Sequence, residues 1–499
     1  MTKETKLIPV MAALILGIFV ASLDNTIVAT SMGSIIGELG GMDKYVWVTS
    51  AYLVAEMAGM PIFGKLSDMY GRKKFYVFGI LVFLIGSILC GTAQTMVQLC
   101  IFRAIQGIGG SALMPIAFTI IWDVVPMEKR GKMSGMFGAI FGLSSIAGPL
   151  LGSFITDTFH WRWIFYINIP IGLIALALIV VFYNESKVHT RQVIDWAGAI
   201  LLVSFSVALM FALELGGDTY EWGSWQIIGL FILALVSFIA FLFVEKVVKD
   251  PILPYSLFKE RLYTNSVLSG MFYGGVFMVS TIYIPLYIQG VTGGTATNSG
   301  LLLLPMMVAC SVTAATGGSL ANKFSYKSIM IVSGIILGIG TVLLGTLEAS
   351  TPRWVVTIYM VIVGLGVGPS FSILGMAVLQ KALPQQRGIA SSTSNFLRSL
   401  GMTLGITIFG VIQKNRFMDG LPEAIKEHGT GEDSSAILSP ELRAQIPADI
   451  LEKITDTLTS SITTTFLWTL IPLGLAFVFI LMMSKEKLTD SQMQMEDQV

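Results

Sequence analysis

Three charged residues of the first 190 stand well inside otherwise apolar runs: Asp24 in LDNTIVAT (23–30), Glu56 in TSAYLVAEMAGM (49–60) and Arg103 in IFRAIQGIGG (101–110). Burying a charge at the centre of a bilayer costs about 2.5–3.5 kcal/mol on insertion scales, so each must face a partner or a cavity. Asp24 falls about two-thirds of the way along its run and Arg103 early in its own. If the two runs cross a membrane in opposite directions, the two charges lie at a similar depth and can pair. Such a pair is open to two readings: a static bond that fixes helix packing, or a carboxylate for which a proton and a solute compete. Glu56 has no Lys or Arg in the core of its own run. It reads either as a group that handles a proton or cation, or as a neutral acid bonded to a neighbouring helix.

Two other stretches have spacing with physical consequences. GKLSDMYGRKK (64–74) ends an apolar run abruptly and places Lys65, Arg72, Lys73 and Lys74 around Asp68. Gly64 and Gly71 are expected to permit a tight backbone turn there. GLSSIAGPLLGS (142–153) carries Gly142, Gly148, Pro149 and Gly152, a small-residue face and a kink of the kind that lets helices pack closely in lipid.

The elements that must position these residues are membrane spans. The chain has 499 residues, 54% hydrophobic and only 12% charged, with a mean hydropathy of +0.77; water-soluble domains carry about twice that charged fraction. Spanning the hydrocarbon takes about 20 apolar residues as helix. Such runs fall near 7–30, 45–66, 75–94, 97–119, 131–155, 163–183, 195–215, 225–246, 264–289, 298–319, 327–347, 354–378, 388–412 and 464–484. The N-terminal lysines and first run imitate a signal peptide but lack a small-residue cleavage site, so the run is taken as span 1. Fourteen spans put both termini on one side. With that side cytoplasmic, 21 of the 31 Lys and Arg residues fall inside, as the positive-inside bias requires. Segment 413–463 is then an external loop, with a short helix expected over about 440–458 behind Ser439-Pro440.

The chain repeats itself. GKLSDMYGRKK answers GSLANKFSYKS (318–328) at an offset of 254, PMEKRG (126–131) answers PQQRG (384–388), and Gly107 answers Gly364, the last two at 257. Carriers built from two similar halves hold their substrate at the interface between them. The expected organisation is a six-helix bundle over 1–190, two inserted helices over 191–250 and a second six-helix bundle over 251–499.

These residues resemble the major facilitator superfamily and, within it, the fourteen-helix drug:proton antiporters. LDNTIVAT is similar to that branch's span 1 signature. The 64–74 stretch matches the superfamily loop at Gly64, Asp68, Gly71, Arg72 and Lys74. IFRAIQGIGG matches the helix 4 motif at Arg103, Gln106 and Gly107. The 142–153 stretch matches the antiporter motif at Gly142, Gly148, Pro149 and Gly152, with Ser153 in place of the usual last glycine. WRWIFYINIPIG (161–172) is also typical of the branch. The resemblance implies that Asp68 and Arg72 latch the two bundles on the cytoplasmic face, that Asp24 takes part in coupling, and that the helix 5 face packs against the other half and bears on export direction.

The expected function is therefore proton-coupled efflux of amphipathic drugs across the cell membrane by alternating access. Asp24 and Glu56 permit a cationic substrate without requiring one. The alternative is a dedicated exporter of an endogenous metabolite, lipid or signalling molecule. No G-x-x-x-x-G-K-[ST] occurs, which argues against ATP hydrolysis on this chain. His160, His189 and His428 lie at span edges or in loops, and no nucleophile–base set or metal cluster is visible, so no enzyme, metal site or cofactor is expected. Cys90, Cys100 and Cys310 fall in apolar runs and are read as core residues. Balanced charge, 31 basic against 31 acidic, gives no pointer to nucleic acid. The expected partners are the substrate, protons and the bilayer, with the chain a monomer. Trp47, Tyr52 and Trp122 are candidates to line a pocket.

Overall fold

The computed structural model describes residues 6–40, 44, 46–185, 195–217, 219–253, 255–293, 296–421 and 448–488. With no water in the hydrocarbon to satisfy backbone groups, each apolar run must close its own hydrogen bonds, and it does so as helix. The helices are α1 (Leu7–Leu39), α2 (Val46–Tyr70), α3 (Arg72–Thr92), α4 (Met96–Val124), α5 (Met127–Thr158), α6 (Trp163–Tyr166), α7 (Asn168–Phe182), α8 (Trp196–Leu215) and α9 (Trp225–Val247). They continue with α10 (Tyr255–Lys259), α11 (Arg261–Gly290), α12 (Ala296–Leu320), α13 (Tyr326–Leu344), α14 (Arg353–Gln380), α15 (Arg387–Gly420), α16 (Ala448–Trp468) and α17 (Leu470–Met482). Side-chain caps start several of them: Thr95 before α4, Asp195 before α8, Ser224 before α9 and Ser325 before α13.

Twelve segments among the described residues are long and apolar enough to cross a membrane: α1, α3, α4, α6 with α7, α8, α9, α11 to α15, and α16 with α17. The sequence count of fourteen also includes α2 and α5. These are long helices, of 25 and 32 residues, and stand outside those twelve. The tail of the chain differs from expectation. Helix α15 runs on to Gly420, and the polar stretch from Ala448 is the first part of a helix that continues into the last span with a break at Thr469, not a separate short helix. The expected external loop 413–463 is thus helical at both ends. Residues 422–447, including the start of the short helix expected over 440–458, lie outside the described residues.

Two cores lie within α1 to α7. A larger one joins the remaining helices and takes in Val54, Met57 and Met60 of α2 and Trp122 of α4. The sequence repeat is also a repeat of contacts. A Cβ on Gly107 would stand 2.3 Å from the Tyr52 carbonyl oxygen, and one on Gly364 2.2 Å from that of Met306. Gly109 meets the Phe83 amide as Gly366 meets that of Leu337; Gly86 abuts Gln106 as Gly340 abuts Val363. Each pair of partners is related by the offsets of 254 or 257 found in the sequence. The same small-residue contacts therefore set the helix spacing in both halves. One chemical difference stands out: the position of Gln106 is held by the apolar Val363.

Candidate functional site

Asp24 of α1 is fully buried, with no exposed surface. One carboxylate oxygen pairs with Arg103 Nη1 of α4. The other accepts from Gln106 Nε2 at 2.9 Å and from Asn168 Nδ2 of α7 at 2.9 Å. Both amides also donate to Ser87 Oγ of α3, at 2.8 and 3.0 Å. Arg103 is likewise fully buried; its Nε donates to the Val48 carbonyl at 3.1 Å, Nη1 to Gln106 Oε1 at 2.7 Å, and its plane lies 4.2 Å from the Tyr52 ring centroid. Four helices and the start of α2 thus converge on one carboxylate. Arg103 is placed by its fork and by stacking, two properties lysine lacks. A buried ion pair is a weak source of net stability, but removing one partner leaves a charge uncompensated.

Glu56 lies one helical turn after Tyr52 and is half-buried. Its carboxylate takes a side-chain hydrogen bond from Asn25, the neighbour of Asp24. The two acids are therefore linked through adjacent residues of α1, one sealed and one partly accessible.

A second cluster closes one end of the molecule. Asp68 of α2 accepts from the backbone amides of Gly388 at 2.9 Å and Ile389 at 3.0 Å, the first turn of α15. It is an N-cap supplied by another helix, placed where orphan amides and the helix dipole favour an anion. Arg72 lies 3.4 Å from Asp68, pairs with Asp123 of α4, and donates to the Pro384 carbonyl at 2.5 Å. Arg387 pairs with the same Asp123 at 2.9 Å. Gly71, at φ +111°, is the single residue that turns α2 into α3. Gly64 has a different role from the turn expected of it. It lies inside α2, where a Cβ would stand 2.1 Å from Ser392 Oγ and 2.7 Å from the Gly388 carbonyl oxygen of α15. It permits close approach of two helices from different halves.

A family model of the Major Facilitator Superfamily matches residues 14–406, which include both clusters. The chain belongs to that superfamily. It is 52% identical to "Multidrug resistance protein 3" of Bacillus subtilis (strain 168), over 96% of this chain and 95% of that one. It is 37% identical to "Multidrug transporter protein MdtP" of the same organism, over 98% and 95%. Among solved structures it is similar to the human organic anion transporter TETRAN (TM-score 0.60, 14% identity, 93% of this chain and 99% of that one). It is also similar to the proton:xylose symporter XylE (TM-score 0.59, 15% identity, 88% and 93%).

Two glycines of the α5 motif, Gly148 and Gly152, pack within their own half, whereas the superfamily resemblance implied a contact with the other half. A Cβ on Gly148 would meet Thr26 Oγ1 at 1.9 Å and one on Gly152 would meet Thr30 Oγ1 at 2.3 Å. These glycines, with Pro149 between them, seat α5 on α1 of the same half, at Thr26 and Thr30, just beyond Asp24 along the chain; Gly142 lies in the same helix. The earlier Gly131 and Gly135 reach the other half, at Gly318 and Ala315. The physical reason is periodicity: a long helix serves one neighbour along one stretch and another along the next.

The aromatic candidates serve the arginines or the packing. Tyr52 covers Arg103, Trp122 lies under Arg130 at 4.7 Å, and Trp47 packs on Phe211 of α8 with centroids 4.8 Å apart. The three cysteines are free, with Cys90 and Cys310 buried. Asn25, Ser87, Asn168 and Asp123 are the residues the sequence reading passed over. The signal for the first three was a polar residue in an apolar run; for Asp123 it was an acid just before PMEKRG.

At the opposite end Glu38 of α1 pairs with Arg162, contacts His160 Nε2 at 2.9 Å and accepts from Trp161 Nε1 at 2.6 Å. The Arg162 hydrogen bond, then that of Trp161, holds its carboxyl below the usual range.

Proposed function

We propose that this superfamily member exports amphipathic drugs in exchange for protons, by alternating access, with no cofactor beyond the proton gradient. The observation that carries the reading is the Asp24 carboxylate. It is sealed from solvent, paired with Arg103 and held by two amides, beside a half-buried second acid, Glu56. Protonating Asp24 would release Arg103 and loosen four helices at once, which is how a proton can bias one arrangement of helices over another. The names of the two Bacillus relatives support drug export as the direction and cargo.

In this reading α2 and α5 also span the membrane, giving fourteen crossings and two bundles, 1–190 and 251–499, with α8 and α9 inserted. Both termini are cytoplasmic, the latch around Asp68 is the closed cytoplasmic gate, and the chain works as a monomer. One pH unit supplies about 1.4 kcal/mol and 100 mV about 2.3 kcal/mol per charge, either enough for roughly tenfold accumulation.

The test is ethidium transport in energised everted membrane vesicles, wild type beside Asp24→Asn, with and without a protonophore. Protonophore-sensitive transport that disappears in Asp24→Asn is the expected result. Transport that survives the protonophore would overturn proton coupling, and its absence from well-expressed wild type would turn the search to a dedicated cellular substrate.

A further inference from the structure

Helices α8 and α9 lie outside the repeat, and nothing in the two clusters above uses them. Between them, the short α10 and helices α11 and α15 lies a cavity of about 330 Å³. Phe205, Phe238, Leu242, Tyr255, Phe396 and Leu397 are among its walls. Its one acid, Glu245 of α9, is 3% exposed and already engaged, accepting the Ile252 and Leu253 amides at 3.1 and 2.9 Å. The space is therefore apolar and offers water almost no hydrogen-bonding surface, so it is filled by hydrocarbon or stays dry.

Its mouth is on the lipid-facing side. Phe238, Leu242 and Tyr255 are 38%, 37% and 36% exposed, and α9 is apolar nearly all round with only 22% of its span buried. Leu242 is five residues from the end of α9 at Val247, about 8 Å at the helical rise. The opening thus lies in the half of the bilayer next to the Asp68 latch, the inner leaflet in the orientation proposed above. The inner wall is α15, the helix whose first turn Asp68 caps; Phe396 and Leu397 follow Gly388 and Ile389 by about two turns.

We propose that this cavity is a binding site for a hydrocarbon tail that enters sideways from the inner leaflet, carried either by a membrane phospholipid or by a single-chain amphiphile dissolved in that leaflet. A bound tail fills the space between the inserted pair and α15, and so braces the gate helix in its latched position. The inserted helices then have a role that a twelve-helix carrier has no element to perform.

The test is photolabelling of the full-length protein reconstituted in vesicles, with two probes bearing the same diazirine chain, a phosphatidylglycerol and an alkyl-trimethylammonium. Peptides containing Phe205, Phe238 and Leu397 are expected to be labelled several-fold above the positions Ile335 and Ile339, which are exposed on α13 and line no such cavity. The excess should vanish in Leu397→Trp, which fills the cavity. Leu242→Trp at the exposed mouth provides the same readout if the first variant folds poorly. Labelling by the lipid probe assigns the site to phospholipid, and labelling by the cation alone assigns it to the amphiphile. Labelling by neither probe above the α13 level, or labelling unchanged by both tryptophan variants, overturns the proposal.

Discussion

Gly131 of α5 and Gly318 of α12 stand backbone to backbone: a Cβ on Gly131 would lie 1.9 Å from the Gly318 carbonyl oxygen, and one on Gly318 2.0 Å from that of Gly131. Gly64 and Gly388 make the equivalent contact between α2 and α15, at 2.7 and 2.5 Å. All four belong to the repeated motifs, and they pair crosswise: the charged stretch of one half with the PxxRG-like stretch of the other. Two glycine pairs thus let the halves meet at one end, and Asp68, Arg72 and Asp123 secure one of the two meetings.

A methyl group at Gly131 or Gly318 should therefore disfavour the latched arrangement. Overpacking costs about 1–3 kcal/mol, equivalent to roughly a 5- to 150-fold shift between arrangements. Spin labels at positions 129 and 323, in a cysteine-free background, should show a longer distance gaining population in Gly131→Ala, with transport reduced. Gly33→Ala is the control, because no atom lies within 4 Å of the added carbon.

Breaking the buried pair separates structure from coupling. Either Asp24→Asn or Arg103→Gln should lower thermal stability by about 3–5 kcal/mol, the usual cost of stranding a buried charge. The double variant should recover much of that stability and none of the transport. A purely structural pair would have transport return with stability.

Gln106 tests the asymmetry of the halves. Gln106→Val installs the residue found at the matching place in the second half and removes the bonds to Asp24, Ser87 and Arg103. Each stranded buried polar group costs about 1–3 kcal/mol. The fold should persist, since Val363 packs against Gly340 in the same way, while proton-driven transport should fall at least about tenfold for each 1.4 kcal/mol lost from the active arrangement.

Glu38 gives a pH signature at the other end. Its carboxyl is held below its ordinary 4.5 by Arg162 and Trp161. A lowered folded value means that its contribution is present above pH about 4.5 and lost as pH falls through the folded value. Wild type should therefore melt above Glu38→Gln at pH 6, and the gap should narrow progressively as the pH falls below 4.5. A gap that does not narrow with falling pH would show that packing, not charge, accounts for it.

Much of this was legible in the sequence because lipid leaves the backbone little choice. Apolar length located the helices, twelve of them long and apolar enough to cross a membrane among the described residues, and the Asp24–Arg103 pair followed from depth. What the sequence could not show is which neighbour a small residue faces. Gly64 looked like a turn residue beside Gly71, yet only Gly71 has positive φ; Gly148 and Gly152 serve α1, and Gly131 serves the other half. The amides Gln106 and Asn168 were hidden for another reason. A polar residue in an apolar run advertises that it needs a partner, and the identity of that partner is a tertiary fact. The helix from Ala448 was mistaken for a separate element because its polarity, not its helicity, changes along its length.

The most direct measurement of proton and substrate competing for Asp24 is proton release on ligand binding. Ethidium is added to purified protein in weakly buffered detergent solution containing a pH-sensitive dye. The expected result is proton release that saturates with ethidium binding in wild type, persists at least in part in Glu56→Gln, and is absent from Asp24→Asn that is still folded. Equal release from Asp24→Asn and wild type, or binding to wild type with no release, would contradict the coupling role assigned to that carboxylate.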